Sequence, residues 1–271
     1  MYRFVFVIIF LMFSTTAKAQ DAGAIAKDLA NPLASMTSVP FQFNYDNGYG
    51  AGDGHKLFVN VQPVVPISLN DDLNLISRTI IPFVFDQHRI ANPLSGQQTG
   101  FGDVVQSAWL SNNVPMDLGG LGDLVWGIGP VALLPTGNSS PLLGTGKWGL
   151  GFSPLAVFIN GPFVYGALVN HIWSVAGKDN RADVNQTFIQ PFLTYTTKDA
   201  VTFSVNTETT YFWDTEEWSV PVHLQISKLT KFGNQFVSLQ AGVRLWAKST
   251  PTGPSGAGFR LAATFLFPSS K

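Results

Sequence analysis

The 271-residue chain has no cysteine. That excludes disulfides, thiolate metal sites and a cysteine nucleophile. Charge is scarce: charged residues make up 12% of the sequence, against 45% hydrophobic. The charged fraction is about half that of an ordinary soluble domain. A net charge of −1 gives no reason to expect nucleic acid or an acidic partner. Beyond the N-terminus, no stretch approaches the ~18 uninterrupted apolar residues of a spanning helix. Aromatics, by contrast, are plentiful at 13%, with 22 Phe and 7 Trp. Such a chain has apolar surface to place somewhere, and lipid is one candidate.

The N-terminus has the build of an export signal. Arg3 supplies the positive start, Phe4 to Phe13 is an unbroken apolar run, and Ala17-Lys18-Ala19 is an A-x-A cleavage site. The apolar run is too short to span a bilayer, which takes ~20 residues. Residues 1–19 are therefore expected to be a cleaved signal peptide. Residues 20–36 follow as an N-terminal segment with a short helix limited by Pro32. This segment is expected either to plug a barrel or to trail from it in the periplasm.

From residue 37 onward the apolar period is two. Val201, Phe203, Val205, Tyr211 and Trp213 share one face with Thr207 and Thr209. Thr202, Ser204, Asn206, Glu208 and Thr210 share the other. Only a strand places alternate residues on opposite faces. Trp218 to Ser227, Val237 to Leu245 and Phe259 to Phe267 repeat the pattern. Noisier strands are expected near 37–47, 56–69, 73–85, 101–111, 123–135, 147–159, 163–175 and 184–197. Of these, 101–111 and 123–135 do not resolve into two faces. The total is twelve.

The connections alternate in length. Asn70-Asp71-Asp72, Asn160-Gly161-Pro162 and Thr197-Lys198-Asp199 have tight-turn chemistry. Between them lie longer loops at 86–100, 136–146, 176–183 and 248–257. Short periplasmic turns and long external loops mark outer-membrane barrels, although 111–122 is long on the short side. Tyr45, Phe83, Phe101, Trp148, Trp173, Tyr211, Trp213 and Trp218 gather near the external strand ends as an interfacial girdle, with Trp246 on the inner face. A secreted β-sandwich also alternates, but low charge, strand length and loop alternation favour a transmembrane antiparallel up-and-down β-barrel over residues 37–271. Seven prolines fall inside strands (Pro63, Pro66, Pro82, Pro130, Pro154, Pro191 and Pro221), and bulges are the expected accommodation.

Twelve strands enclose a lumen of intermediate width. The residues expected to line it are Asn60, Gln62, Arg78, Asn206, Glu208, His223, Gln225, Gln240, Arg244 and Arg260. Such a set reads either as a selectivity constriction or as ion pairs that fill the interior. Phe188 and Phe192, beside Gln186, Gln190 and Thr194, either line the lumen for an apolar solute or pack against the N-terminal segment. Catalysis needs a nucleophile with a base in reach. His171 and Ser174 point to opposite faces of one strand, and no histidine has a serine two residues away. The expectation is no enzyme, no metal and no cofactor, with membrane lipid and an unidentified small solute as partners and no nucleic acid.

Several stretches also carry a resemblance. NPLASMTSVPFQFNYD (31–46), QPVVPISLNDDLNLISRTIIP (62–82), GDVVQSAWLS (102–111), YGALVNHIWSVAG (165–177), RADVNQTFIQPFLTYTT (181–197) and WSVPVHLQISKL (218–229) resemble transporter-like outer-membrane proteins of the MetA-pathway of phenol degradation family. The resemblance covers nearly the whole mature chain. It implies an outer-membrane barrel of a Gram-negative cell with a role in uptake of aromatic compounds, and it fixes no binding residue. Two functions follow as expectations: a channel or facilitator for small solutes, or a closed structural or adhesive barrel that displays its loops, notably 86–100 and 248–257.

Overall fold

The computed structural model describes residues 19–267 except 51–52, 90–95, 139 and 141–142. The signal peptide, apart from Ala19, lies outside the described residues. One helix, α1 (Ala19–Leu29), precedes twelve transmembrane strands. These are β1 (Thr37–Tyr49), β2 (54–68), β3 (Leu73–Arg89), β4 (96–112), β5 (Asp123–Leu134) and β6 (Lys147–Asn160). They continue as β7 (Phe163–Gly177), β8 (Asn185–Thr196), β9 (201–212), β10 (Glu217–Phe232), β11 (Gln235–Lys248) and β12 (Ala257–Phe267). Each strand pairs antiparallel with the next. β12 pairs with β1 from Thr37↔Phe267 to Tyr45↔Phe259 and closes the barrel. The sheet therefore keeps no free edge.

The register assigns every side chain to lipid or lumen. Val39, Phe41, Phe43 and Tyr45 stand across from Phe265, Ala263, Leu261 and Phe259 on the outer face. Phe43, Phe259 and Leu261 are among the exposed apolar residues of that band. Ser38, Gln42, Asn44 and Arg260 turn inward. The girdle aromatics meet in cross-strand pairs: Phe83 with Phe101 at 4.9 Å and Tyr211 with Trp218 at 4.6 Å between ring centres.

Three details depart from the sequence expectation. The loop at 86–100 is shorter than expected, because β3 runs to Arg89 and β4 starts at Gly96, extending that hairpin. The long turn at 111–122 carries its own structure: Met116–Asp117 folds back on Leu124 and Asp123, and a 3-10 turn covers Gly119–Leu121. Bulges accommodate only one of the prolines. A register shift falls at Val220/Pro221, and Pro63 sits at the interruption of β2, but Pro66, Pro82, Pro130, Pro154 and Pro191 stay in regular register. The remaining bulges lie elsewhere, at 47/49, 57/58, 84/87 and 174/176.

Candidate functional site: a charged belt and a cavity inside the barrel

α1 is built from good helix formers (Ala22, Ala24, Ala26 and Leu29) and stops before Pro32. It lies across the turn end of the barrel. Lys27 Nζ donates to the Gly161 carbonyl at 3.0 Å, and Gly23 sits beside the Lys198 carbonyl. Ala26 packs in a cluster with Ala200, Leu229 and Leu266. The chain then turns on Asn31, whose Oδ1 accepts the Leu33 backbone N–H at 2.9 Å. Leu33, 3% exposed, enters a core of inward side chains from β3 to β7: Ile76, Trp109, Val125, Leu155, Val157 and Val164. Phe188 and Phe192 pack against this cluster. They sit on the core that holds Leu33 and are not among the residues that line the cavity.

Nearer the long-loop end, ion pairs cross the lumen. Arg244 on β11 donates from Nη1 to both carboxylate oxygens of Asp46 on β1, at 2.8 and 2.9 Å. Arg260 on β12 grips Glu208 with Nη1 to Oε1 at 2.8 Å and Nη2 to Oε2 at 3.2 Å. Its Nε donates to Asn44 Oδ1 at 2.7 Å. Glu208 also lies 3.9 Å from Arg244 Nη2 and 3.7 Å from His223 Nδ1. Gly258 makes room for the first pair, because a Cβ there would meet Asp46 Oδ1 at 2.6 Å. Asn44 and His223 have no exposed surface, and Arg260 is only 3% exposed. Charges so enclosed must be paired, and bidentate arginine–carboxylate forks are the strongest way to do it.

Between the belt and the N-terminal segment a cavity of about 240 Å³ remains. Arg78, Gln42, Gln62 and Gln240 line it together with a band of hydroxyls that includes Thr202 and Ser227. Gln62 Nε2 donates to Gln42 Oε1 at 2.8 Å, and Gln240 Nε2 to Gln225 Oε1 at 3.0 Å. Leu29, Ala30, Pro32 and Met36 form its other wall.

The structure thus divides the ten expected lumen residues. Glu208, His223, Arg244 and Arg260 meet in the belt. Gln62, Arg78 and Gln240 face the cavity, with Gln225 bonded to Gln240. Asn206 stands across from His223 in the register. Asn60 shares the inner face of β2, across from Gln42. Sequence reasoning missed Asp46, Asn44 and Lys56. The first two were visible on the polar face of the first strand, and Lys56 stands across from Asp46.

His171, set aside as an interfacial side chain, turns outward beside Trp173 at 5.5 Å between ring centres. Its Nδ1 lies 2.8 Å from Thr187 Oγ1 on the neighbouring strand.

No protein-family model and no curated protein matches the chain. Solved structures do. A crystal structure of an outer membrane channel from Pseudomonas putida F1 superposes with a TM-score of 0.67 at 16% identity, over 86% of this chain and 96% of that one. The NanC porin reaches 0.49 at 9% identity, over 84% and 98%. Outer membrane phospholipase A from Escherichia coli reaches 0.48 at 13% identity, over 90% and 98%. The presence of that phospholipase among the similar structures corrects the expectation that the chain is not an enzyme. The expectation rested on pairs within one strand, whereas a barrel also brings a base and a hydroxyl together across strands, as His171 and Thr187 show. What these likenesses establish is the fold: a closed twelve-stranded barrel of the kind found in outer-membrane proteins.

Proposed function

We propose that the chain, exported behind its N-terminal signal peptide and cleaved before Gln20, is an outer-membrane channel for small solutes. The observation that carries this reading is the luminal wall between belt and N-terminal segment, which is polar and encloses a cavity although nothing structural requires one. A barrel closed for strength alone would fill this space with side chains. In this reading residues 20–36 are a plug, and the charged belt is the constriction that selects among solutes. The resemblance to the MetA-pathway proteins agrees with a transport role in general. Among the described residues that line the cavity none is aromatic, which gives the aromatic solute it suggests no ring surface there.

A second reading has its own support. Belt side chains with almost no exposure suit a permanently shut barrel that acts through its loops. Conductance separates the two. The purified protein in planar bilayers is expected to show single-channel steps, and removal of residues 20–36 to enlarge them. A folded barrel that never conducts, with or without that segment, and passes no solute in liposomes sinks the channel reading.

A further inference from the structure

The belt and the cavity differ in how their charge is balanced. Among the described residues of the belt and the cavity wall, two carboxylates, Asp46 and Glu208, stand with four cations: Lys56, Arg78, Arg244 and Arg260. Arg260 holds Glu208 in a two-nitrogen fork and Arg244 holds both oxygens of Asp46 through Nη1. Arg78, on β3, has no salt bridge and no hydrogen bond among the described residues; Glu208 acts on it only as a more distant charge, already held by Arg260, and its Nε is buried without an acceptor. Trp109 lies under the guanidinium, 5.1 Å from ring centre to Cζ. Such stacking covers the face of the group and leaves the N–H edge, where its donors lie, unsatisfied. Trp109 Nε1 is a second buried donor without a partner. Trp109 belongs to the apolar core and only Arg78 lines the cavity, so the component missing there is an acceptor beside Arg78, and a negative one. Water could fill the donors but would leave the charge unbalanced.

We propose that the cavity is a binding site for a small monocarboxylate, with Arg78 as its anchor. The carboxylate accepts from the guanidinium edge in the bidentate geometry that arginine favours. The amides of Gln42, Gln62 and Gln240 border the head group. The opposite wall (Leu29, Ala30, Pro32 and Met36) meets the body of the ligand, so an anion with an apolar tail fits better than a compact polyanion. The site rests on the channel reading only in that the solute is passenger as well as ligand; binding can be measured without conduction.

The test is calorimetry on the purified full-length mature barrel in detergent, with butyrate, inorganic phosphate and n-butylamine as probes. Butyrate is expected to bind and n-butylamine not to bind. Arg78→Met should weaken butyrate at least tenfold, and Arg78→Lys, which keeps the charge but loses the fork, should weaken it less. The heat-dependent gel shift checks that each variant is folded. If Arg78→Met does not fold, the comparison of Arg78→Lys with Arg78→Gln replaces it. Phosphate binding without butyrate binding overturns the monocarboxylate assignment. Butyrate binding that is absent from the wild type, matched by n-butylamine or unchanged in the Arg78 variants overturns the site. A barrel that binds butyrate but never conducts would overturn the channel and leave the site standing.

Discussion

The side chains that matter most individually are those that balance charge out of reach of water. Asp46 is 2% exposed and holds Arg244 through both oxygens. In Asp46→Ala the nearest remaining acceptors for that guanidinium are Asn44 at 3.4 Å and Glu208 at 3.9 Å. Removing one partner of a buried pair costs about 3–5 kcal/mol, because the other charge stays behind uncompensated. Denaturant unfolding of the variant in lipid vesicles should show a loss of that size, and a loss below about 1 kcal/mol would mean the belt relaxes or hydrates readily. This pairing could not be read from the chain, since its partners are 198 residues apart. What could be read was that Asp46 and Arg244 each occupy the polar side of an alternating strand. Which polar residues meet depends on closure, and closure leaves no local mark.

Strands differ in how plainly they announce themselves, and the barrel shows why. β9 to β12 face lipid with apolar residues and a wet or polar lumen with Ser, Gln, Asn and Arg, so both faces have distinct chemistry. β4 and β5 do not. Their inner residues Trp109, Val125 and Val131 belong to apolar clusters, with Leu33 packed among the first two. The outer face of β4 carries Gln106, whose amide is satisfied by Thr79 Oγ1 at 2.6 Å and Ser77 Oγ at 3.0 Å. With Leu110 and Ile128 on the lipid side, apolar residues stand on both faces and Gln106 adds a polar one outside, which erases the alternation in those two strands. The same packing gives a prediction for the N-terminal segment. Leu33→Ala removes a buried side chain worth about 2–5 kcal/mol in an ordinary core. The loss should fall on docking of residues 20–36 and leave the barrel folded. Protease accessibility of that segment should rise while the heat-dependent gel shift persists; an unchanged cleavage pattern would mean Leu33 does not hold it.

One loop contact behaves differently. Asp183 accepts from Lys147 Nζ at 2.8 Å. The hydrogen bonds from Lys147 and Ser174 and the lysine charge hold its carboxyl below the usual carboxylate range. A depressed carboxylate contributes above its unfolded pKa and loses that contribution as pH falls through the folded one. The 178–184 loop should therefore keep its amide protection at neutral pH and lose it only in strong acid. Its exposure makes the contribution small. Hydrogen exchange of the loop amides checks this, and loss of protection near neutrality would rule the contact out as the anchor.

At the scale of the whole molecule, the lumen is occupied at two levels by different means: an apolar segment near the turns and a network of charges near the loops. The two should be separable. Loosening the segment should alter how much passes, whereas charge changes in the belt should alter which ion passes. Glu208→Gln removes one of the two carboxylates described in the belt and is expected to shift reversal potentials in a salt gradient toward anions. An unchanged selectivity would place the constriction elsewhere.

Closure of β12 on β1 has a further consequence, for biogenesis. The two strands that seal the barrel are the first and the last of the twelve to leave the ribosome, so this closure waits for the twelfth strand. Contacts of such long sequence separation form late and slowly. Until they form, both terminal strands present open hydrogen-bonding edges that invite pairing with other chains. A chain that ends before Ala257 should accordingly be insoluble or degraded and give no heat-resistant band, however well its other eleven strands pair. For this fold, the C-terminal strand works as a proofreading step on completeness.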